Sequence, residues 1–151
     1  MIPKHILVPT DFSAHADDAL AYAIELATSL QAHLTLLHVF YLSPLTVGEV
    51  PPVVFNDTLR DLETYAQQHT QMALERVQQA GLQGNSIIVE GTPFQTIIDV
   101  AKDKDIDLIV MGTHGRTGLS HVLMGSVAEK VLRMAPCPVL VTRGTPEDAE
   151  A

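Results

Sequence analysis

The sequence predicts a single α/β domain in which parallel strands form a central sheet with helices on both faces. Short apolar segments of strand length alternate with segments of helical spacing along the whole chain. The chain has 151 residues, which suits one domain, and its 46% hydrophobic content is enough for a packed core. No repeat, linker or low-complexity tract divides it, so the domain is predicted to span residues 1–151.

The first two strands and the helix between them have clear signals. The apolar run His5–Pro9 is typical of a strand that is buried on both faces, and residues 32–40 repeat that pattern. Asp11 and Ser13 offer N-cap side chains to the intervening helix. Apolar residues at helical spacing extend that helix to Ala27.

Residues 41–56 are predicted to form a loop, because Pro44, Gly48, Pro51 and Pro52 disfavour regular structure. A loop of this length is either a binding loop or an ordered surface connection. A long helix follows, capped by Asp57 or Thr58 and ending near residue 80.

The second half of the chain continues the alternation. Strands are predicted over residues 86–90, 107–111 and 138–142, with helices over 93–102 and from Gly125 or Ser126 to residue 134. Right-handed crossovers then give a doubly wound, Rossmann-like parallel sheet with strand order 3-2-1-4-5. Ligands bind such sheets beyond the carboxyl ends of the strands, where the order reverses, so the loops after strands one, two and four are the candidate site.

The formal net charge of −9 argues against a nucleic acid or an anionic membrane as partner. The stretch between residues 112 and 144 is locally basic, with Arg116, Lys130, Arg133 and Arg143 against Glu129. This distribution suits a small anionic ligand, although charges on a helix surface would give the same pattern. One cysteine, no apparent signal peptide and no long apolar run favour a cytoplasmic protein without a membrane span.

A glycine-rich turn follows the fourth predicted strand and carries Gly112, Gly115, Gly125 and Ser126. Glycine lets a phosphate approach the backbone, and a helix N-terminus presents free N–H groups to it. Ser126 could donate a hydroxyl hydrogen bond to a phosphate. Ordinary turn glycines and a helix-capping serine are the alternative explanation.

The spacing of that turn resembles the nucleotide-binding signature of the universal stress protein family, with two residues between the first glycines and nine before Gly125-Ser126. The opening segment 6–13 and the segment 135–141 are similar to that family's first and last strands. The resemblance implies an ATP-binding fold, usually homodimeric, that acts in stress tolerance. It implies these ligand contacts: Gly112, Gly115, Gly125 and Ser126 with phosphates, Asp11 with ribose, Val39 with adenine through its backbone, and Pro9, Thr10 and Val127 lining the pocket.

His114 and Arg116 occupy positions that the signature leaves open. Arg116 could offset phosphate charge or point into water. Asp11 could instead cap the first helix, and Val39 could be plain strand core. The scattered histidines lack metal-ligand spacing, so a structural zinc site is not expected. A Mg²⁺ ion bound mainly through the ATP phosphates is compatible with the sequence.

Two functions therefore remain open. The first is an ATP-binding regulatory protein with slow hydrolysis at most, because the classical P-loop lysine is absent. The second is a protein–protein interaction module that works as a homodimer through the apolar fifth strand, from Pro138 to Thr142, independently of nucleotide. AMP or a cyclic nucleotide could replace ATP. A phosphoacceptor receiver domain is disfavoured, because Glu90 and Arg143 stand where it needs an aspartate and a lysine.

Overall fold

Five parallel strands form one sheet in the computed structural model, which describes residues 1–42, 49–114 and 124–144. The spatial order β3-β2-β1-β4-β5 confirms the predicted doubly wound topology. In the centre, Ile6 of β1 lies beside Leu34 of β2 on one side and Leu108 of β4 on the other. The strands are β1 (His5–Pro9), β2 (His33–Phe40), β3 (Gly84–Glu90), β4 (Leu108–Gly112) and β5 (Val139–Thr142).

Four helices connect the strands, and their termini follow local sequence signals. Ser13 caps the first helix, and prolines open the second and third, where a missing N–H causes no loss. The left-handed residues Gln31 and Gly81 follow the first two helices. The helices are α1 (Ala14–Leu30), α2 (Pro52–Gln79), α3 (Pro93–Asp103) and α4 (Ser126–Met134).

Helix α2 begins at Pro52, before the predicted cap at Asp57 or Thr58, so the prediction that residues 52–56 belong to a loop is wrong. Pro51 occupies the N-cap position and Pro52 opens the helix. Proline is compatible with the first turn, because the backbone N–H groups there have no partner within the helix. Residues 43–48 of the predicted loop lie outside the described part of the chain.

The sheet separates two apolar cores, which explains why β1 is apolar at consecutive positions. Ile6 and Val8 face the core beneath α1 and α2, whereas Leu7 faces the core beneath α3 and α4, and all three are fully buried. In contrast, β5 is at the sheet edge and its four residues are only partly buried. Along 1–42, 49–114 and 124–144, none of the helices has the length and apolar character that a membrane span needs.

The strand order reverses between β1 and β4. From β1 the chain passes through α1 to β2 on one side, and from β4 it passes through α4 to β5 on the other. The carboxyl ends of these two neighbouring strands, together with the helix N-termini that follow them, therefore border one crevice. This crevice is the candidate site.

Candidate functional site

On the β1 side of the crevice, residues 10–13 form a tight hydrogen-bonded turn. The Thr10 N–H donates to the Leu37 carbonyl at 2.8 Å and so continues the pairing of β1 with β2. The Thr10 hydroxyl accepts the Phe12 N–H at 3.0 Å, and Oδ1 of Asp11 accepts the Ser13 N–H at 3.0 Å. The turn therefore fixes the backbone on both sides of Asp11.

Ser13, rather than Asp11, caps helix α1. Its Oγ accepts the Ala16 N–H at 3.2 Å, which satisfies one of the free amides of the first turn. The capping explanation for Asp11 therefore does not hold. This carboxylate supports the turn through Oδ1, and it lies at the point where the chain leaves β1 for the crevice.

On the β4 side, Gly112 and Gly125, two of the predicted phosphate contacts, lie near each other at the two ends of the long turn. The Gly125 N–H donates to the Thr113 carbonyl at 2.6 Å, so the residue that precedes α4 is held against the end of β4. Thr113 in turn donates its N–H to the Thr142 carbonyl of β5 at 3.1 Å. These bonds place the N-terminus of α4 beside the end of β4.

Both glycines are also required by close backbone packing. A Cβ on Gly112 would lie 2.9 Å from the carbonyl oxygen of His15 in α1, and a Cβ on Gly125 would lie 2.9 Å from that of Thr113. Real Cβ atoms do not approach backbone oxygen so closely. Because Gly112 has no side chain, the first turn of α1 can pack against the end of β4. The lack of a side chain would also let a phosphate approach the backbone there.

Ser126 is the first residue of α4, and the N-cap position belongs to Gly125. Capping of the helix is therefore not the reason for a serine at this position. Its side chain is exposed at a helix end whose amides carry a positive partial charge. Val127 is partly buried and packs on the core beneath α3 and α4.

Two further predicted pocket residues lie in the strands. Val39 pairs in register with Val89 and is partly buried against the core beneath α3 and α4. Pro9 ends β1 beside Leu37, two residues before Val39 in β2. The strand pairing therefore brings Pro9, Thr10 and Val39 to the same end of the sheet.

His114 ends the described part of the glycine turn. Its Nδ1 lies 3.0 Å from the Thr113 hydroxyl, and its ring centroid lies 5.5 Å from that of His15 in the first turn of α1. The predicted contacts Gly115 and Arg116 lie outside the described residues. Nothing in the sequence singled out His15, whose position beside the crevice follows from the close packing of α1 on β4.

The cations Lys130 and Arg133 of α4 contact neighbouring side chains, one in α3 and one in α4. Nζ of Lys130 lies 4.7 Å from the centre of the Phe94 ring, and Arg133 pairs with Glu129 at 2.7 Å. These contacts favour the surface explanation for part of the predicted basic stretch. Within residues 1–42, 49–114 and 124–144, no three histidine, cysteine, aspartate or glutamate side chains converge as metal ligands would.

The comparison with known families decides the family. The family described as "Universal stress protein family" matches residues 3–143, which is nearly the whole chain. The chain belongs to the universal stress protein family. Universal stress protein MJ0531 of Methanocaldococcus jannaschii is 35% identical over 140 residues, covering 93% of this chain and 82% of that protein. YxiE of Bacillus subtilis is 33% identical over 144 residues, covering 91% and 97%.

Solved universal stress proteins share the fold. The structure of MJ0577 superposes with a TM-score of 0.85 at 32% identity and covers 96% of this chain and 99% of that one. An Archaeoglobus fulgidus member in complex with dAMP has a TM-score of 0.65 at 24% identity, covering 93% and 98%. An Arabidopsis thaliana member with AMP bound has a TM-score of 0.71 at 18% identity, covering 97% and 95%. At these identities the two nucleotide complexes show the common fold.

This universal stress protein also contains a feature beside Asp11 that the glycine signature does not predict. Phe12 has a φ of 64°, in the left-handed region that a bulky side chain rarely adopts. Its ring stacks on His38 of β2, with ring centroids 4.4 Å apart. Local sequence patterns do not predict this conformation, because the partner ring is 26 positions away along the chain.

Proposed function

We propose that this universal stress protein is a regulatory protein that binds an adenine nucleotide, with ATP as its ligand, in the crevice between β1 and β4. One observation carries the proposal: the Gly125–Thr113 hydrogen bond sets the exposed Ser126 and the amide end of α4 at the carboxyl end of β4, where the strand order reverses. Helix N-termini at such positions bind phosphate groups. The nucleotide-bound proteins show only that the fold is shared. The support for the proposal therefore comes from the residues of this chain.

Each residue of the crevice then has a role in binding. Asp11 contacts the ribose, and the backbone of Val39 contacts adenine beside Pro9 and Thr10. The phosphates lie against the small residues and amides of the turn, with His114 and Arg116 as further contacts and Mg²⁺ bound through the phosphate oxygens. The phosphate contacts are Gly112, Gly115, Gly125, Ser126 and the backbone of Val127.

Hydrolysis in this site is slow at most. Rapid phosphoryl transfer needs groups that position the attacking water and neutralise the charge that develops on the phosphates. Asp11 is the acid at the crevice mouth in the described residues, and its Oδ1 accepts the Ser13 N–H. We therefore assign the site to binding, so that the bound nucleotide sets the state that a partner protein reads in a cytoplasmic stress response.

Calorimetric titration of Ser126→Ala with ATP tests the proposal directly. Loss of one hydroxyl hydrogen bond to a charged phosphate weakens binding by roughly 1.5–3 kcal/mol, about tenfold to hundredfold in Kd. Ser29→Ala is the matched control, because Ser29 is an exposed serine of α1 whose hydroxyl donates to the Glu25 carbonyl. Equal Kd values for wild type and Ser126→Ala would contradict the placement of the phosphates.

A second function rests on the sheet edge. All four residues of β5 are partly exposed at the edge of the sheet, and their side chains are apolar apart from Thr142. An edge of this kind pairs readily with another strand, so we propose that two copies associate through β5, from Pro138 to Thr142. Light scattering should give the mass of a dimer for wild type and also for Asp11→Ala. A dimer that forms without nucleotide binding would separate the two functions, and a monomer at high concentration would exclude this one.

A further inference from the structure

Phe12 adopts a backbone conformation that needs support from its surroundings. At a φ of 64° the Cβ of a residue other than glycine crowds the backbone, and such conformations cost about 1–2 kcal/mol. Residues held in this way cluster at ligand-binding and switch regions. Phe12 lies between Asp11, the proposed ribose contact, and Ser13, the cap of α1.

Three rings from two other elements surround the Phe12 ring. His38 of β2 stacks on it at 4.4 Å and an interplanar angle of 27°. From α2, His69 lies 5.2 Å away and Tyr65 lies 5.8 Å away at 75°, and these two rings are 4.1 Å apart. We call Phe12, His38, Tyr65 and His69 the ring cluster. It connects the end of β1 to the middle of α2.

The ring cluster is hydrogen-bonded to the same turn that carries Asp11. His38 Nδ1 lies 2.8 Å from the Thr10 carbonyl oxygen, and because a carbonyl only accepts, Nδ1 carries the proton. The Thr10 hydroxyl then accepts the Phe12 N–H, and Asp11 accepts the Ser13 N–H. The position of the Asp11 carboxylate thus depends on a turn that contains Phe12, and the other three rings of the ring cluster contact the Phe12 side chain.

We propose that Phe12 is a positioning residue for the nucleotide site, and that Tyr65 and His69 of α2 hold it in the left-handed conformation that places Asp11 at the crevice. The inference rests on the proposed function and adds a means of regulation: anything that displaces this part of α2 would weaken nucleotide binding from outside the site. Tyr65 and His69 belong to a different element from every residue assigned a nucleotide contact, so their effect on binding is indirect.

The test compares variants of α2 that keep the core intact. Tyr65→Ala and His69→Ala each remove one aromatic contact, and a loss of this size predicts about a threefold to tenfold rise in the Kd for ATP. Tyr65→Phe keeps the ring and should bind ATP more tightly than Tyr65→Ala does. Met72→Ala is the control, because Met72 lies two turns after Tyr65 on the same helix and is 62% exposed.

A glycine variant separates the ring from the backbone strain. Phe12→Gly accepts a positive φ without strain, so the turn can form while the ring contacts are lost. If the ring positions Asp11, the Kd for ATP rises about threefold to tenfold in this variant while its melting temperature changes little. Wild-type affinity in Phe12→Gly would overturn the proposal.

Amide hydrogen exchange gives a readout that does not depend on nucleotide. The N–H groups of Phe12 and Ser13 are hydrogen-bonded within the turn, so their exchange should accelerate in Tyr65→Ala and stay unchanged in Met72→Ala. If wild type binds no ATP, the proposed function fails, and exchange still decides whether α2 holds the turn. Unchanged exchange in Tyr65→Ala, or faster exchange with an unchanged Kd, would overturn the inference.

Discussion

The two ends of the sheet use polar residues in opposite ways. At the amino end, His5 Nε2 lies 2.9 Å from the Thr35 hydroxyl, which donates to Oδ1 of Asn85 at 2.8 Å, and His33 Nε2 lies 2.7 Å from the same oxygen. Oδ2 of Asp107 accepts the backbone N–H groups of residues 4 and 5. At the carboxyl end, the Asp11 turn and the amide end of α4 border a crevice. One end is a closed polar network, whereas the other presents polar groups to the proposed nucleotide site.

The same residue type therefore has a structural role at one end of the sheet and a proposed functional role at the other. A buried hydroxyl with protein partners at the amino end contributes to stability alone. The Thr10 hydroxyl at the carboxyl end also holds the backbone of the proposed binding turn. Matched substitutions at the two ends should therefore lower stability at both but affect nucleotide binding at only one.

The largest effects are expected from Gly112→Val and Gly84→Val. At each glycine an added Cβ would lie 2.9 Å from a backbone carbonyl oxygen, that of His15 at the carboxyl end and that of Leu34 at the amino end. Overpacking of this kind costs about 1–3 kcal/mol of stability, which lowers the Tm by several degrees in both variants. Titration well below the Tm should show that only Gly112→Val loses ATP binding. Comparable binding losses in both variants would mean that stability, and not the site, controls affinity.

The glycine pair shows how far the sequence alone reaches. The apolar runs and the helical spacing predict the strand order and the crevice, because short buried strands and right-handed crossovers leave few alternatives. The spacing also predicts that Gly112 and Gly125 belong to one turn. It does not predict that Gly112 packs against the carbonyl of His15, since that contact depends on how closely α1 approaches β4.

Other features escape prediction for similar reasons. The sequence pattern does not predict the start of α2, because prolines at 51 and 52 disfavour regular structure, although proline is compatible with a helix N-terminus. The Thr35–Asn85 bond joins residues 50 positions apart through the register of β2 and β3. The conformation of Phe12 depends on rings in two other elements. Local patterns carry no information on such contacts.

A smaller effect on ATP binding is expected from the pair Thr35→Val and Thr10→Val, which remove one buried hydroxyl from each end of the sheet. Thr35 is 1% exposed and Thr10 is 8% exposed, and both hydroxyls have hydrogen-bond partners. Each change should cost about 1–3 kcal/mol in urea unfolding, because a polar partner is left unsatisfied. Thr10→Val should also raise the Kd for ATP about threefold to tenfold, since the Phe12 N–H loses its acceptor. A higher Kd in Thr35→Val would contradict the division between the ends.

The smallest effect is a pH dependence that belongs to the amino end. Burial lowers the pKa of His5 below its ordinary value of 6.5, the nearby His33 lowers it further, and the charge of Asp107 opposes both. As the pH falls below 6.5, His5 takes up a proton more readily in the unfolded chain than in the folded chain. The unfolded state therefore binds more protons, and the free energy of unfolding falls as the pH is lowered through this range.

Urea unfolding between pH 8 and pH 5 measures this dependence, with His5→Gln as the comparison. Wild type should lose more stability on acidification than the variant, which lacks the imidazole that resists protonation. If both proteins lose the same amount, the network around His5 does not oppose its protonation. Because His5 lies at the end of the sheet opposite the crevice, the ATP affinities of the two proteins should match at pH 8. A weaker affinity in His5→Gln at that pH would show that the closed network at the amino end communicates with the site, and the separation of the two ends would then fail.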